Sequence, residues 1–194
     1  MGATTRKTQL YYTETVTEGG EGPAPEASVA ESEFFAGMMG LGDIGPAPAD
    51  EIGFDAEHIF PDKPVSELSR KELGDIGEKL AALYLYECGF DIIERGYRCG
   101  EGEADIVAYD PAGDMVVLVE VKTRRSGSIS DGTFPEEAVT KKKQRRYRRI
   151  AACYAMDHYP TPAIRFDVIG VTIDPDGDSG FEHFEGAFDW DGGR

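Results

Sequence analysis

Met115-Val116-Val117-Leu118-Val119 is an apolar run of strand length, too continuous for a surface element, so the chain must fold around it as a buried strand. The run ends in Glu120-Val121-Lys122, two charges where such a strand should stay apolar. Strand residues i and i+2 share a face, which sets Glu120 beside Lys122. Upstream, GEADIVAYD (102–110) reads as a second strand. A turn at Asp110-Pro111-Ala112-Gly113-Asp114 then pairs Asp105 roughly opposite Glu120. Two carboxylates and an ammonium at a hairpin end can bind a divalent metal and activate water, the chemistry of a nuclease-like site. A lone Glu-x-Lys is also an ordinary cross-strand pair at a strand end. Asp105 and the apolar run before Glu120 weigh against that reading here.

With 194 residues the chain has room for one ordinary domain and an appendage. No apolar run approaches the roughly 18–20 residues that span a bilayer, and the N-terminus lacks a hydrophobic signal core. Cys88, Cys99 and Cys153 are odd in number and include no Cys-x-x-Cys pair, which fits a reduced, cytoplasmic chain. His58, His158 and His183 are scattered and suggest no zinc site. The net charge of −17 argues against nucleic acid until its distribution is considered. Residues 1–70 carry −9 and residues 174–194 carry −6, whereas residues 71–173 carry only −2. The middle of the chain is nearly neutral and its basic residues are clustered.

Residues 1–66 are rich in Gly, Pro, Ala and Glu and show neither helical nor strand periodicity, which predicts an acidic, largely disordered extension. Its apolar islands, residues 34–39 and 59–60, are suited to docking. Residues 67–190 form the expected domain. A helix is expected over 69–88, with Ser69 and Glu72 as a capping box and Gly89 as its stop. Strands follow at 90–98, 103–109 and 115–122, then a helix at 135–158 and a strand at 163–173. The order αβββαβ predicts an α/β fold with a mixed sheet flanked by helices. Glu78, within a stripe of small residues on the first helix, is either a lone surface-edge carboxylate or a site residue leaning over the sheet. Glu103 either supports Asp105 or pairs with a neighbouring Arg.

Lys141-Lys142-Lys143-Gln144-Arg145-Arg146-Tyr147-Arg148-Arg149 holds seven basic residues in nine. Like charges at i,i+4 destabilise a helix, so this density predicts an anionic partner. Phosphate backbone suits it, because such contacts release counterions and read no base. Lys141, Lys142, Lys143, Arg145, Arg146 and Arg149 are therefore expected to bind nucleic acid, with Arg124 and Arg125 extending the charge to the rim of the site. No membrane partner is expected. The acidic extension either competes for the basic helix or is a solubilising tail that touches nothing, and nothing in the sequence fixes the oligomeric state.

The run from Gly77-Glu78 through GEADIVAYD, VEVKTRR, EEAVTKKKQRR and RFDVI to Ala187-Phe188 resembles the YraN-like family of uncharacterised bacterial proteins. That family is similar to the PD-(D/E)xK, restriction-endonuclease-like superfamily. The resemblance implies a restriction-endonuclease-like core and a Mg²⁺-dependent endonuclease. It implies Mg²⁺ (or Mn²⁺) held by Asp105 and Glu120, Lys122 as the catalytic lysine, and Glu78 completing the site from its helix. DNA is the substrate so implied. A nucleic-acid-binding module without catalysis on the same fold is the alternative.

Overall fold

The computed structural model describes residues 4–10 (as backbone), 52–55, 58–127 and 140–190. Strand β1 (Thr4–Leu10) precedes helix α1 (Arg70–Glu87), which a short 3-10 turn, Val65–Glu67, leads into. Strands β2 (Asp91–Cys99), β3 (Gly102–Asp110) and β4 (Met115–Arg125) follow, then helix α2 (Lys141–Asp157) and strands β5 (Ala163–Ile173) and β6 (Ser179–Glu185). The strands form one mixed sheet in the order β1-β6-β5-β4-β3-β2. Only β4 and β5 are parallel; every other neighbouring pair is antiparallel. A parallel pair needs a crossover, and α2 lies within it. This is the expected α/β fold with a restriction-endonuclease-like core.

The apolar run of β4 is continuous because both of its faces are covered. Val117, Val119 and Val121 belong to the core beneath α1, while Val116 and Leu118 belong to the core beneath α2. Helix α1 starts where the capping box predicts: Ser69 Oγ accepts from the Glu72 N–H, and the Glu72 carboxylate accepts from the Ser69 N–H. It stops at Gly89, whose φ of 85° favours glycine. Nine of its residues are buried, among them the whole stretch 80–85, so the helix is covered on much of its circumference. Helix α2 buries Tyr147, Ile150, Ala151 and Tyr154, and Ala155 is half-buried. It starts at Lys141, where Thr140 Oγ1 accepts from the Lys143 N–H. The expected earlier start at 135 lies outside the described residues.

Three features depart from expectation. Strand β6 follows a turn in which Asp174 Oδ1 accepts from the N–H groups of Asp176 and Asp178. Its alternation of buried Ser179, Phe181 and His183 is a strand pattern masked by the acidic composition around it. Residues 1–66 are not wholly outside the domain: Ile52, Ile59 and Val65 are buried in the core beneath α1, and Phe54 and Phe60 pack on it. Thr4–Leu10 extends the sheet by pairing with β6. Single apolar residues dock without any period, so pattern reading is blind to them. The island at 34–39 and any contact of the acidic extension with the basic helix lie outside the described residues.

Candidate active site

Strands β3 and β4 pair from Asp110 and Met115 as far as Ile106 and Val119, and there the ladder ends. The next residues on each strand are Asp105 and Glu120. Beyond this point β4 continues against β5 alone, as far as Arg125 and Ile173. The Val121 N–H donates to Asp105 Oδ2 at 2.8 Å instead of to a carbonyl of β3. A side chain thus satisfies a backbone donor that the end of the ladder would leave orphaned. The sequence placed Asp105 roughly opposite Glu120, and the structure brings the two together.

Glu120 is only 2% exposed. It stands in register with Val168, a residue of the core beneath α2, so its side chain lies on the α2 face. Its Oε1 accepts from Lys122 Nζ at 2.5 Å and also from Lys143 Nζ, which reaches in from the first turn of α2. One turn on, the Tyr147 hydroxyl donates to the Val119 carbonyl at 3.2 Å and fastens the helix over β4.

The electrostatics follow from this crowding. Burial and the Glu120 charge push the Asp105 carboxyl up to about 7, against the pull of the Val121 N–H. Burial would raise Glu120 as well, but Lys143 and Lys122 outweigh it and hold Glu120 below the usual carboxylate range. Burial would lower Lys122, yet its bond to Glu120 prevails and raises it. Lys143 is lowered by burial, and the neighbouring Lys122 adds to that effect.

Glu78 approaches from α1. A Cβ on the preceding Gly77 would land inside the Thr123 side chain, so only glycine lets α1 lie this close to β4. Burial and the Asp75 charge raise the Glu78 carboxyl, Arg95 opposes them, and Glu103 and Glu120 add to the rise. Glu78 also lines a cleft of about 450 Å³ with Ile52, Gly53 and residues 92–96. Across it the Arg95 guanidinium lies 4.7 Å from the Phe54 ring centroid. Among the described residues no three Asp, Glu, His or Cys side chains converge into a metal-holding group. Glu78 therefore shares the field of Asp105 and Glu120 without joining them as a third ligand. Glu103 pairs with Arg98 at 3.1 Å.

The basic residues of α2 divide among several environments. Lys143 points into the site. Arg146 lies over Gly102 at the start of β3, Arg149 pairs with Glu101 at 2.5 Å, and Arg148 donates to the Asp189 carbonyl at 2.7 Å. Lys141, Lys142 and Arg145 are exposed. Arg124 bonds Thr172 Oγ1 at 3.0 Å and lies 3.6 Å from Glu182. Arg125 does not reach the rim of the site. Its guanidinium donates to the carbonyls of Val65 and Leu68 and ties the turn before α1 to the sheet. The sequence reading missed Lys143 as a site residue. Its signal was the spacing to Tyr147, the one aromatic residue in the basic run, since i and i+4 share a helix face.

Residues 77–171, which include Glu78, Asp105, Glu120, Lys122 and Lys143, match the Uncharacterised protein family UPF0102. A UPF0102 protein of Anaeromyxobacter dehalogenans is 45% identical over 124 residues, 63% of this chain and 88% of the relative. One of Mycolicibacterium smegmatis is 43% identical over 124 residues, covering 63% of this chain and 98% of the relative. One of Desulforamulus reducens is 39% identical over 112 residues, 57% of this chain and 88% of the relative. The chain belongs to the UPF0102 (YraN-like) family.

Proposed function

We propose that this chain is a metal-dependent hydrolase of nuclease type that acts on the phosphodiester backbone of DNA with little sequence preference. The observation that carries the reading is the end of the β3–β4 ladder, where Asp105 meets Glu120 and Lys122. Ladder ends usually hold polar groups that water can reach. This one holds two carboxylates, one of them almost fully buried, whose charges oppose each other. Such a pair favours a cation.

The donor chemistry fits Mg²⁺ or Mn²⁺. Asp105 and Glu120 offer hard oxygens, and Mg²⁺ is commonly held by one or two carboxylates with water filling the remaining positions. Such an ion supplies charge to offset that of the phosphate and lowers the pKa of a water. Lys122 would stabilise charge developing on phosphate oxygens. Glu78, on α1, would orient water. Lys141, Lys142 and Arg145 would track the DNA backbone from the exposed side of α2, with Arg124 on the sheet. None of these contacts reads a base.

A second reading is favoured by one observation: Glu120 is already paired with two lysines and no three-carboxylate group is present among the described residues. It makes the chain a nucleic-acid-binding module that has kept the fold and lost the chemistry. Incubating the full chain with Mg²⁺ or Mn²⁺ and linear, single-stranded, flapped and four-way DNA separates the two. Cleavage of any substrate that is lost in Asp105→Ala and Glu120→Ala supports the hydrolase. Tight, salt-dependent binding without cleavage of any substrate supports the module.

A further inference from the structure

Glu120 has one lysine more than a single catalytic ammonium accounts for. Lys122 comes from the same strand, two residues on, and Lys143 comes from α2, yet both donate to Glu120 Oε1. With Asp105 ionised, two carboxylates face two ammonium groups and the cluster is neutral without any metal. A divalent ion entering between Asp105 and Glu120 competes for an oxygen that both lysines occupy. One of them must yield. The two side chains are equally exposed, about a third each, but Lys122 shares its strand with Glu120, whereas Lys143 reaches Glu120 from another element, the first turn of α2.

We propose that Lys143 is an internal counter-ion, which takes the cation's place at Glu120 in the metal-free protein and turns to a phosphate oxygen of the substrate once a divalent ion is bound. The inference rests on the metal-dependent reading above. Charge explains why such an arrangement serves hydrolysis. With a divalent ion present, the two lysines and two carboxylates leave the cluster at a net +2. A phosphodiester brings a single negative charge and meets half of that. The transition state of hydrolysis gathers a second negative charge and meets all of it, so the site is complementary to the transition state rather than to the substrate.

The test is a titration of Mn²⁺ into the full chain and its Lys143→Met and Lys143→Arg variants. Lys143→Met should bind Mn²⁺ more tightly than the parent, by roughly 5- to 50-fold, because the competing ammonium is gone. Lys143→Arg keeps the positive charge and should stay close to the parent. Binding of a short DNA duplex supplies a second readout. Without divalent ions the parent and Lys143→Met should bind alike, since Lys143 is turned inward. With Ca²⁺ present the variant should bind roughly tenfold more weakly, the loss of one charge-assisted contact. If Lys143→Met loses its cooperative melt, Lys143→Gln makes the same comparison. Mn²⁺ binding that is unchanged or weaker in the neutral variants would overturn the counter-ion role. The metal-dependent reading would survive that outcome provided Asp105→Asn still abolishes binding. A parent that binds no Mn²⁺ overturns both.

Discussion

Val119 and Asp167 face each other in register across β4 and β5, and the next pair is Glu120 and Val168. The two central strands thus bury two carboxylates one step apart, on opposite faces of the sheet. Beneath α1, Asp167 is fully buried and fully satisfied. Arg165 donates to it through Nε and Nη2, both at 2.9 Å; the Gly186 N–H donates at 2.9 Å, and His183 Nε2 lies at 3.0 Å. Arg165 also reaches Asp110 at 2.7 Å and so ties the β3–β4 turn to β5. Beneath α2, the donors of Glu120 crowd one oxygen and the adjacent Asp105 is held up near neutrality. Burial and charge are common to both. What separates them is how the charge is satisfied: donors spread over both oxygens make a clasp, and like charges forced together make a place for a ligand.

Removing Asp167 should have the largest effect. Asp167→Ala leaves the largely covered Arg165 with Asp110 as its one remaining carboxylate partner and should cost about 3–5 kcal/mol in urea or thermal unfolding. Burial would raise the Asp167 carboxyl, but His183 and Arg165 outweigh it and hold it low. Its contribution to stability is therefore complete above the unfolded-state pKa and is lost as pH falls through the folded one. Glu120→Gln keeps an acceptor for lysines that can still reach water and should cost only about 1 kcal/mol while abolishing Mn²⁺ binding. Equal losses for the two variants would erase the distinction between clasp and site.

The opposite sign is expected at Asp105. Its folded pKa lies above its unfolded value, so ionising it opposes folding, increasingly so as pH rises from about 4 to about 7. Asp105→Asn preserves an acceptor for the Val121 N–H and removes the charge. At pH 8 the variant should be more stable by roughly 1–2 kcal/mol, after discounting the shift for solvent and for its coupling to Glu120. The gain should vanish near pH 4. A variant that is less stable than the parent at pH 8 would mean that the carboxylate pair carries no strain.

Much of this was legible in the chain. The capping box at Ser69 and Glu72, the glycine stop, the continuous run of β4 and the pairing of Asp105 with Glu120 all follow from local rules, and local rules survive folding. Arg165-x-Asp167 shows where they end. It has the same form as Glu120-x-Lys122, two charges at strand spacing in an apolar run, and period two cannot tell a clasp from a site. The distinguishing partners come from far along the chain: His183 and Gly186 for one, Lys143 for the other. The same holds for Arg125, whose destination on the turn before α1 is tertiary, and for Ile52 and Ile59, which dock singly. Lys143 is the exception. Its helical spacing to Tyr147 already placed it toward the sheet, and only the weight of six other basic residues around it hid that fact.

Helix α1 offers carboxylates of a third kind, half-buried, with neither clasp nor site, and the smallest expected effect. At its N-terminus Glu72 is held down to about 2 by the Lys63 ammonium and by Ser69, where a negative charge also suits the helix dipole. At the other end Glu87 sits in a last turn that has no basic residue, and burial pushes its carboxyl up to about 7. A raised carboxyl binds its proton more tightly in the folded chain, so stability falls as pH climbs from about 4.5 to about 7 and is level beyond. Glu87→Gln removes that penalty and should stabilise the protein by about 1 kcal/mol at pH 8, and by nothing measurable at pH 4.5. Glu87 lies nine residues, about 13 Å along the helix, from Glu78. Mn²⁺ affinity should therefore be unchanged in the variant, in contrast to Asp105→Asn, which should gain stability by losing its charge and also lose Mn²⁺ binding. Urea unfolding at the two pH values, with a Mn²⁺ titration at pH 8, decides the matter. A stability gain of the same size at both pH values would show that Glu87 acts through packing rather than charge. A fall in Mn²⁺ affinity would extend the site along α1 well beyond Glu78.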